Sequence, residues 1–364
     1  MSTPQPSHPY LNRLEPYEPP DLEQAAVQAG VQSEALIRLV ANENLFGLSP
    51  CAAEALASFG QYHFHPEYAP LKEAVAGYAG VAPDRLVLSN GADEMIDLLI
   101  RLFVEPGEAI ITCPPTFSMY RFSAHVNRCD VLTATRREDL SVDPAAVERV
   151  AHDSHGAARL LFIVSPGNPS AQAIPLPIIE RLLALPLLVA VDEAYIEFGG
   201  ESAVGLLRNH GNLVVIRTFS KWAGMAGLRL GYALLAPELA RALERIRPPY
   251  NVNAAAMVAA LATLDNLDTV QANVARLIAE RERLRKALAA VPWLEPLPSQ
   301  ANFILCRVKG RDERAVAEGL LQRGILIRHF SGSGTGNRAL AGHIRVTVGR
   351  PQDNEALVTA LRSL

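Results

Sequence analysis

The sequence TFSKWAGMAGLRLGY (residues 218–232) decides how the rest of the chain is interpreted. It follows LVVIR (213–217), an apolar and β-branched run that predicts a buried strand ending at the edge of a sheet. Lys221 then lies between Ser220 and Trp222 in a segment with few charges. Burial disfavours the charged form of a lysine, so a neutral amine at this position would be available to attack a carbonyl group.

Two interpretations of Lys221 are open on this stretch alone. In the first it is a reactive amine, and Arg229, eight residues later, supplies a second cation that further disfavours the ammonium form. In the second it is an ordinary loop lysine, and the three nearby glycines only permit close packing. The rest of the chain favours the reactive amine.

The length and the hydrophobic content predict more than one folding unit. With 364 residues, of which 49% are hydrophobic, the chain can bury a sizeable core and exceeds one ordinary small domain. We expect an N-terminal arm over residues 1–30, a large domain over 31–262 and a small domain over 263–364. The prolines of the first twenty residues exclude a regular element there.

Charge and cysteine usage argue against several classes of partner. Charged residues make up 20% of the chain, the net charge is −4, and Arg and Lys occur singly or in helical patterns such as ERERLRK (280–286), so we expect no nucleic-acid partner. The four cysteines form no CxxC pair, which predicts neither a metal site nor a disulfide framework. The longest apolar run (182–191) is short and interrupted by proline, and residues 1–16 contain no apolar core of the kind expected in a signal peptide. We expect a cytoplasmic protein without a membrane partner.

Short apolar strands alternate with helices through the large domain. This alternation predicts an α/β fold with a mainly parallel seven-stranded sheet covered by helices on both faces. The expected strands are RLVLS (85–89), EAIITC (108–113), CDVLTA (129–134), RLLFIVS (159–165), PLLVAVD (186–192), LVVIRTF (213–219) and LGYALL (230–235).

The pattern changes after residue 249, where a long helix (267–291) is expected to lead into a smaller α+β domain. Its expected strands are ANFILCRV (301–308), GILIRHF (324–330) and HIRVTVG (343–349). The stretch SGSGTGNRALAG (331–342) lacks the GK[ST] ending of a nucleotide-binding P-loop, so we expect a flexible loop there rather than a phosphate site.

Candidate ligand-binding residues follow the predicted strands, and ligands of parallel sheets bind at the carboxyl ends of the strands. Asn90 and Gly91 form a turn into a helix, whose free backbone N–H groups suit a phosphate. Phe117 is placed either to pack in the core or to stack on a flat ligand. Asn168 stands between turn residues, where an ordinary turn is the alternative to a hydrogen-bonding role.

A carboxylate ends the fifth predicted strand. Burying Asp192 at the end of an apolar strand is costly unless a cation pairs with it, and a pyridinium nitrogen would serve. Tyr195, three residues later, is placed to reach a phenolate oxygen on the same ring. With the amine of Lys221, these groups form a receptor suited to pyridoxal phosphate.

These stretches resemble the fold type I pyridoxal-phosphate aminotransferases and, more narrowly, the histidinol-phosphate aminotransferase family. The resemblance covers nearly the whole chain, with the motifs in the family's order. They are ANENLFGLSP (41–50), NGADEMIDLLIRLFVEPGEAI (90–110), CPPTFSMY (113–120), SPGNPSAQ (165–172), VDEAYIEF (191–198), TFSKWAGMAGLRLGY (218–232), ANFIL (301–305), GILIRHF (324–330) and IRVTVG (344–349).

The resemblance implies a role for individual residues toward the cofactor. Lys221 would carry the Schiff base, and Asp192 would hold the pyridine nitrogen. The remaining cofactor contacts would come from Tyr195 and Asn168 at the ring oxygen, Phe117 on the ring face, and Ala92, Asp93, Ser220 and Arg229 at the phosphate.

The resemblance also implies a substrate pocket and a homodimer with its sites at the subunit interface. Arg345 would bind the substrate's anionic end, flanked by Tyr17, Asn44 and Arg328. Family members lend a tyrosine to the partner's cofactor phosphate from the segment written FHPEY (64–68) here. This chain has His65 at that position, and Tyr62 and Tyr68 are the other candidates for the role.

The implied reaction is transamination between histidinol phosphate and 2-oxoglutarate in histidine biosynthesis. The planar guanidinium of arginine can bind either a phosphate ester or a carboxylate bidentately, so Arg345 can serve both substrates. Two other enzymes on the same scaffold remain open, namely an aromatic amino acid aminotransferase and a decarboxylase. A non-catalytic binding protein is disfavoured because the lysine, the aspartate and the arginine are all present.

Overall fold

The computed structural model of the chain describes residue 14 and residues 20–331 and 339–364. The helices in this part are α1 (Leu22–Ala29), α2 (Pro50–Ser58), α3 (Ala69–Ala79), α4 (Gly91–Phe103), α5 (Met119–Val126), α6 (Pro144–Asp153), α7 (Leu176–Leu183), α8 (Pro237–Ile246), α9 (Ala254–Asp265), α10 (Leu267–Ala289), α11 (Glu313–Leu321) and α12 (Pro351–Ser363). The strands are β1 (Ile37–Leu39), β2 (Leu86–Ser89), β3 (Ala109–Thr112), β4 (Asp130–Thr133), β5 (Ala158–Val164), β6 (Leu188–Asp192), β7 (Leu213–Thr218), β8 (Gly231–Leu235), β9 (Leu294–Pro296), β10 (Phe303–Val308), β11 (Ile325–His329) and β12 (His343–Thr347).

The larger sheet has seven strands in the order β2-β8-β7-β6-β5-β3-β4. The strands β4, β3, β5, β6 and β7 run parallel to one another, whereas β8 runs antiparallel to both of its neighbours, β7 and β2. The prediction of a mainly parallel seven-stranded α/β sheet is therefore confirmed. Because β8 is reversed, its first residues lie at the same edge of the sheet as the ends of β6 and β7.

Both faces of this sheet are covered, which is why its strands are almost continuously apolar. Every residue of β6, β7 and β8 is buried. On one face the strands pack against α4, α5 and α8. On the other face they join a core that includes α2, α3, α6, α7 and α9 and that continues into the second sheet.

Local signals explain where several helices begin. Ser49 accepts a hydrogen bond from the backbone N–H of Ala52 at the start of α2, as a helix N-cap does. Asp143 and Asp312 cap α6 and α11 in the same way. The long helix α10 spans 23 residues and begins at the predicted position, Leu267.

The second sheet has five strands in the order β1-β11-β12-β10-β9. Its three central strands correspond to the predicted C-terminal strands. The sequence analysis did not predict β1, which pairs in parallel with β11 through Ile37 opposite Ile325. Residues 37–39 thus join the sheet of the C-terminal unit, although the expected boundary assigned them to residues 31–262.

The expected N-terminal arm also contains a regular element. Helix α1 occupies residues 22–29, capped by Asp21 at its start and by left-handed Gly30 at its end. Tyr17 lies outside the described residues. Within the part of the chain that the structure describes, no helix has the length and apolar character needed to cross a membrane.

Candidate active site

A cavity of about 460 Å³ opens at the carboxyl edge of the seven-stranded sheet, and residues from both sheets line it. The structure brings eleven of the predicted site residues to this cavity, nine of them from the ends of the large sheet's strands and two, Arg328 and Arg345, from the second sheet. They are Ala92, Asp93, Phe117, Asn168, Asp192, Tyr195, Ser220, Lys221, Arg229, Arg328 and Arg345.

Lys221 follows β7 and reaches the cavity through a turn. Its Nζ donates a 3.0 Å hydrogen bond to the backbone oxygen of Ala41. Desolvation lowers the pKa of Lys221 to about 8, and the nearby positive charges of Arg345 and Arg229 act in the same direction. The amine is therefore far easier to deprotonate than that of an exposed lysine, whose pKa is about 10.4.

Asp192 is the last residue of β6 and is buried at the cavity wall. Its Oδ2 accepts a 2.6 Å hydrogen bond from the Tyr120 hydroxyl, and its Oδ1 accepts one of 3.0 Å from the backbone N–H of Ala194. Burial raises the pKa of Asp192 to about 6, although both hydrogen bonds oppose that change. Among the described residues no cation forms an ion pair with Asp192, so its charge is left for a ligand to balance.

Tyr195 and Arg345 are joined to the same cavity wall by hydrogen bonds. The Tyr195 hydroxyl accepts a 3.0 Å hydrogen bond from Nδ2 of Asn42. Arg345, on β12, donates through Nη1 to Oδ1 of Asn168 at 2.7 Å and through Nη2 to the backbone oxygen of Val40 at 2.7 Å. The guanidinium also lies 5.3 Å from the centre of the Phe303 ring.

Arg229 and Ser220 form a polar end of the cavity beside the first turn of α4. Arg229 pairs with Asp93 at 3.0 Å and lies 3.4 Å from the hydroxyl oxygen of Ser220. A Cβ atom on Gly91 would lie 2.5 Å from Arg229 Nη2, so a side chain there would push this cation out of place. A Cβ on Gly231 would meet the backbone of Gly91 at 2.5 Å. The two glycines thus allow the arginine and the helix start to approach each other, as an anion site requires.

Phe117 lines the cavity from the segment between β3 and α5, and its ring is edge-on to that of Tyr120, with 5.7 Å between the centroids. Its half-buried face is available for a flat ligand as well as for packing. Arg328, on β11, contributes a further positive charge to the wall.

Two predicted residues lie away from this cavity. The Asn44 side chain donates to the backbone oxygen of Trp222 at 2.9 Å and accepts from the N–H of Phe46, so it holds the Lys221 turn instead of lining the wall. His65 stacks on Tyr250 at 4.1 Å and lines a separate surface cavity with Phe59 and Phe64.

The structure adds residues that sequence reasoning missed. Tyr120 lies only three residues after Phe117 in CPPTFSMY, but nothing in that spacing indicates that it contacts Asp192. Asn42 lies in ANENLFGLSP two residues before the predicted Asn44, and only the tertiary fold shows which asparagine reaches the cavity. Glu43 also lines the wall and pairs with Arg38 at 3.0 Å.

A buried ion pair joins the ends of β6 and β7. Arg217 lies 2.9 Å from Glu193, and the Ser202 hydroxyl and the Ala203 N–H complete the carboxylate's hydrogen bonds. Glu193 follows Asp192 directly, so the pair constrains the spacing between Asp192 and the turn that carries Lys221.

Comparison with known proteins places these features in context. The family model "Aminotransferase class I and II" matches residues 34–361. A histidinol-phosphate aminotransferase of Roseiflexus castenholzii is 44% identical over 368 residues, which cover 98% of this chain and 97% of the relative. A chloroplastic histidinol-phosphate aminotransferase of Nicotiana tabacum is 41% identical over 97% of this chain and 85% of its own length.

Solved structures agree with the sequence comparison. The histidinol-phosphate aminotransferase of Sinorhizobium meliloti, in complex with pyridoxal-5'-phosphate, superposes with a TM-score of 0.89 at 27% identity. That match covers 100% of this chain and 98% of the other. The corresponding enzyme of Clostridium acetobutylicum gives a TM-score of 0.82 at 25% identity, over 90% of this chain and 98% of the other.

Proposed function

Because the chain belongs to the aminotransferase class I and II family and, within it, to the histidinol-phosphate aminotransferase family, we propose that it transfers the amino group of histidinol phosphate to 2-oxoglutarate with pyridoxal 5'-phosphate as cofactor. The products would be imidazole acetol phosphate and glutamate. The observation that carries the proposal is that a lysine with a depressed pKa and a buried carboxylate line one cavity.

The donor set of the cavity fits this cofactor. Asp192 is buried and has no cationic partner among the described residues, and the protonated ring nitrogen would supply one. Tyr195 and Asn168 would contact the ring oxygen, and Phe117 would cover the ring face. Lys221 would provide the amine for covalent attachment.

The cofactor phosphate would bind at the polar end of the cavity. Ser220 and Arg229 would contact it together with the backbone N–H groups of Ala92 and Asp93 in the first turn of α4. A helix N-terminus and an arginine both favour a dianion, and the absence of a side chain on Gly91 keeps this space open.

When bound, pyridoxal phosphate supplies an electron sink for the negative charge that remains on the substrate carbon after its proton is removed. Lys221 would act as the base that takes this proton, which its pKa of about 8 permits near neutral pH. Asp192 would keep the ring nitrogen protonated, and Tyr120 would hold Asp192 in its ionised form through the 2.6 Å hydrogen bond.

Arg345 would bind the anionic end of both substrates. Its guanidinium offers a planar pair of donors, which suits a carboxylate or a phosphate ester. Arg328 would add a second positive charge on the same wall. Tyr17 is proposed to flank this pocket on the resemblance alone, and Asn44 would act indirectly by holding the Lys221 turn.

A homodimer is part of the proposal, with His65 contacting the partner subunit's cofactor phosphate. His65 is remote from the cavity of its own chain, and Tyr62, Phe64 and Tyr250 leave large apolar side chains exposed around it. Of the two alternatives, Tyr68 already bonds with the 251–252 segment and Tyr62 with the backbone oxygen of Leu56.

Domain organisation and cellular location complete the proposal. We assign residues 31–262 to a large cofactor-binding domain and 263–364 to a small domain, with strand β1 contributed to the sheet of the small domain. The four cysteines are free, which fits a reducing compartment such as the cytoplasm.

The direct test is an assay for glutamate formed from histidinol phosphate and 2-oxoglutarate. The purified protein should show a visible absorption band with pyridoxal phosphate, and borohydride should fix the cofactor to Lys221. Lys221→Ala should lose the band and the activity, whereas Lys309→Ala, at an exposed lysine paired with Glu295, should keep both. Faster turnover of phenylalanine than of histidinol phosphate, or release of carbon dioxide, would contradict the assignment.

A further inference from the structure

Three consecutive residues contact three different side chains of the candidate active site. The backbone oxygen of Val40 accepts from Arg345, and that of Ala41 accepts from Lys221. The side chain of Asn42 then donates to the hydroxyl of Tyr195. Of these three contacts, only the last depends on the identity of a side chain in the 40–42 segment.

Asn42 is held in place more firmly than a loop residue usually is. Its φ angle is 55°, in the left-handed region that asparagine tolerates better than most residues. Its backbone N–H donates to Thr347 Oγ1 at 3.0 Å, and its backbone oxygen accepts from Asn302 Nδ2 at 2.9 Å. The residue is only 2% exposed. The Thr347 hydroxyl also donates to the Asn42 Oδ1 atom at 3.4 Å, which leaves Nδ2 as the atom directed toward Tyr195.

The direction of the Asn42–Tyr195 hydrogen bond has a chemical consequence. Nδ2 donates, so the Tyr195 oxygen is the acceptor and the bond does not use the hydroxyl hydrogen. Donation to a hydroxyl oxygen also polarises its O–H bond, which makes that hydroxyl a stronger donor to a third group. This effect is larger inside a protein than in water, and Tyr195 is 4% exposed.

We propose that Asn42 is a positioning residue that makes Tyr195 a hydrogen-bond donor to the ring oxygen of the cofactor. The inference rests on the proposed function, because it requires a ring oxygen in this cavity. A donated hydrogen bond stabilises negative charge on that oxygen and weakens its hold on the proton shared with the Lys221 nitrogen. Asn42 therefore lowers the pH at which the lysine-linked cofactor loses this proton.

Two substitutions of Asn42 change the group that faces the Tyr195 hydroxyl. Asn42→Gly removes the amide and keeps the left-handed backbone, and Asn42→Asp replaces the donor with a carboxylate that would draw the Tyr195 hydrogen to itself. The apparent pKa of the visible band should rise by about half a pH unit in Asn42→Gly, as loss of part of one hydrogen bond predicts. It should rise further in Asn42→Asp, whose negative charge adds to the effect.

The decisive experiment is a pH titration of the visible band of the holoenzyme in a double-mutant cycle with Tyr195→Phe. In the Tyr195→Phe background Asn42→Gly should cause no additional change, because its effect passes through the hydroxyl. Thermal melting of each protein checks folding independently of the band.

The outcomes separate this inference from the proposed function. An equal pKa in the wild type and Asn42→Gly overturns the positioning role, and so does a change that persists in the Tyr195→Phe background. If the wild-type protein forms no visible band that depends on Lys221, the proposed function fails instead.

Discussion

The Tyr120 hydroxyl donates a 2.6 Å hydrogen bond to Asp192 Oδ2 at a site where neither side chain is appreciably exposed. Tyr120 comes from the first turns of α5 and Asp192 from the end of β6, 72 positions apart in sequence. The tyrosine ring is fixed by stacking on Phe162 at 4.7 Å. Its hydroxyl is therefore already positioned to donate to Asp192. This hydrogen bond stabilises the ionised carboxylate, whereas burial favours the neutral form.

Replacing Tyr120 with phenylalanine tests this relationship. Loss of a hydrogen bond to a charged group costs about 1.5–3 kcal/mol, so the pKa of Asp192 should rise further and cofactor affinity should fall by roughly tenfold or more. Cofactor release can be followed by absorbance after dilution. Tyr78→Phe is the matched control, because it removes the hydroxyl of a partly buried tyrosine that donates to Glu197 instead. Equal affinity in the two variants would rule out the role assigned to Tyr120.

Asp192→Asn should stabilise the protein without cofactor at neutral pH. The folded-state pKa of about 6 lies above the ordinary value of 3.8, so the folded state binds more protons between these values. The free energy of unfolding therefore falls as the pH rises from about 4 to about 6. At pH 7 the ionised Asp192 carboxylate destabilises the folded state by roughly 3 kcal/mol. Urea unfolding should show Asp192→Asn to be the more stable protein at pH 7, with the difference closing near pH 4.

The same substitution should weaken cofactor binding, because a neutral amide cannot balance a pyridinium nitrogen. A variant that is less stable than the wild type at pH 7 would show that Asp192 already has a compensating charge. The comparison must use protein freed of cofactor, since a bound ligand stabilises the folded state by itself.

Arg345→Ala should impair both half-reactions. Removing one partner of a desolvated charge pair typically costs about 2–5 kcal/mol, so each single-turnover rate at low substrate should fall by roughly 30-fold or more. Arg345→Lys keeps the positive charge but not the planar donor pair, so its rates should lie between those of the wild type and Arg345→Ala. A defect confined to one substrate would disprove a shared anion site.

Mixed dimers test the assignment of His65 to the partner's site. If His65 acts across the interface, a dimer of one His65→Ala chain and one Lys221→Ala chain retains one complete site. Co-purified mixed dimers should then be more active than His65→Ala homodimers. Activity no higher than that of the homodimers would indicate that His65 does not act across the interface. The same design with Tyr62→Phe examines the alternative residue.

Much of the large sheet was predictable because its signal is local. Parallel strands covered on both faces must be continuously apolar, and β5, β6 and β7 show this directly in their sequences. Strand β1 was missed because it is only three residues long and gains its partner from β11, nearly 290 positions later. No local sequence pattern predicts the pairing of two strands so far apart in the chain.

The sequence by itself determined the order of strands and helices along the chain and the position of Lys221 and Asp192 at strand ends. Hydrophobic periodicity and strand length can be recognised because they depend on consecutive residues. Only the tertiary structure decided that Tyr120 holds Asp192, that Asn42 rather than Asn44 reaches the cavity, and that Arg345 joins the site from the second sheet. Those contacts depend on the direction of side chains from segments far apart in the chain. Packing of the whole molecule sets that direction, and no stretch of sequence does so alone.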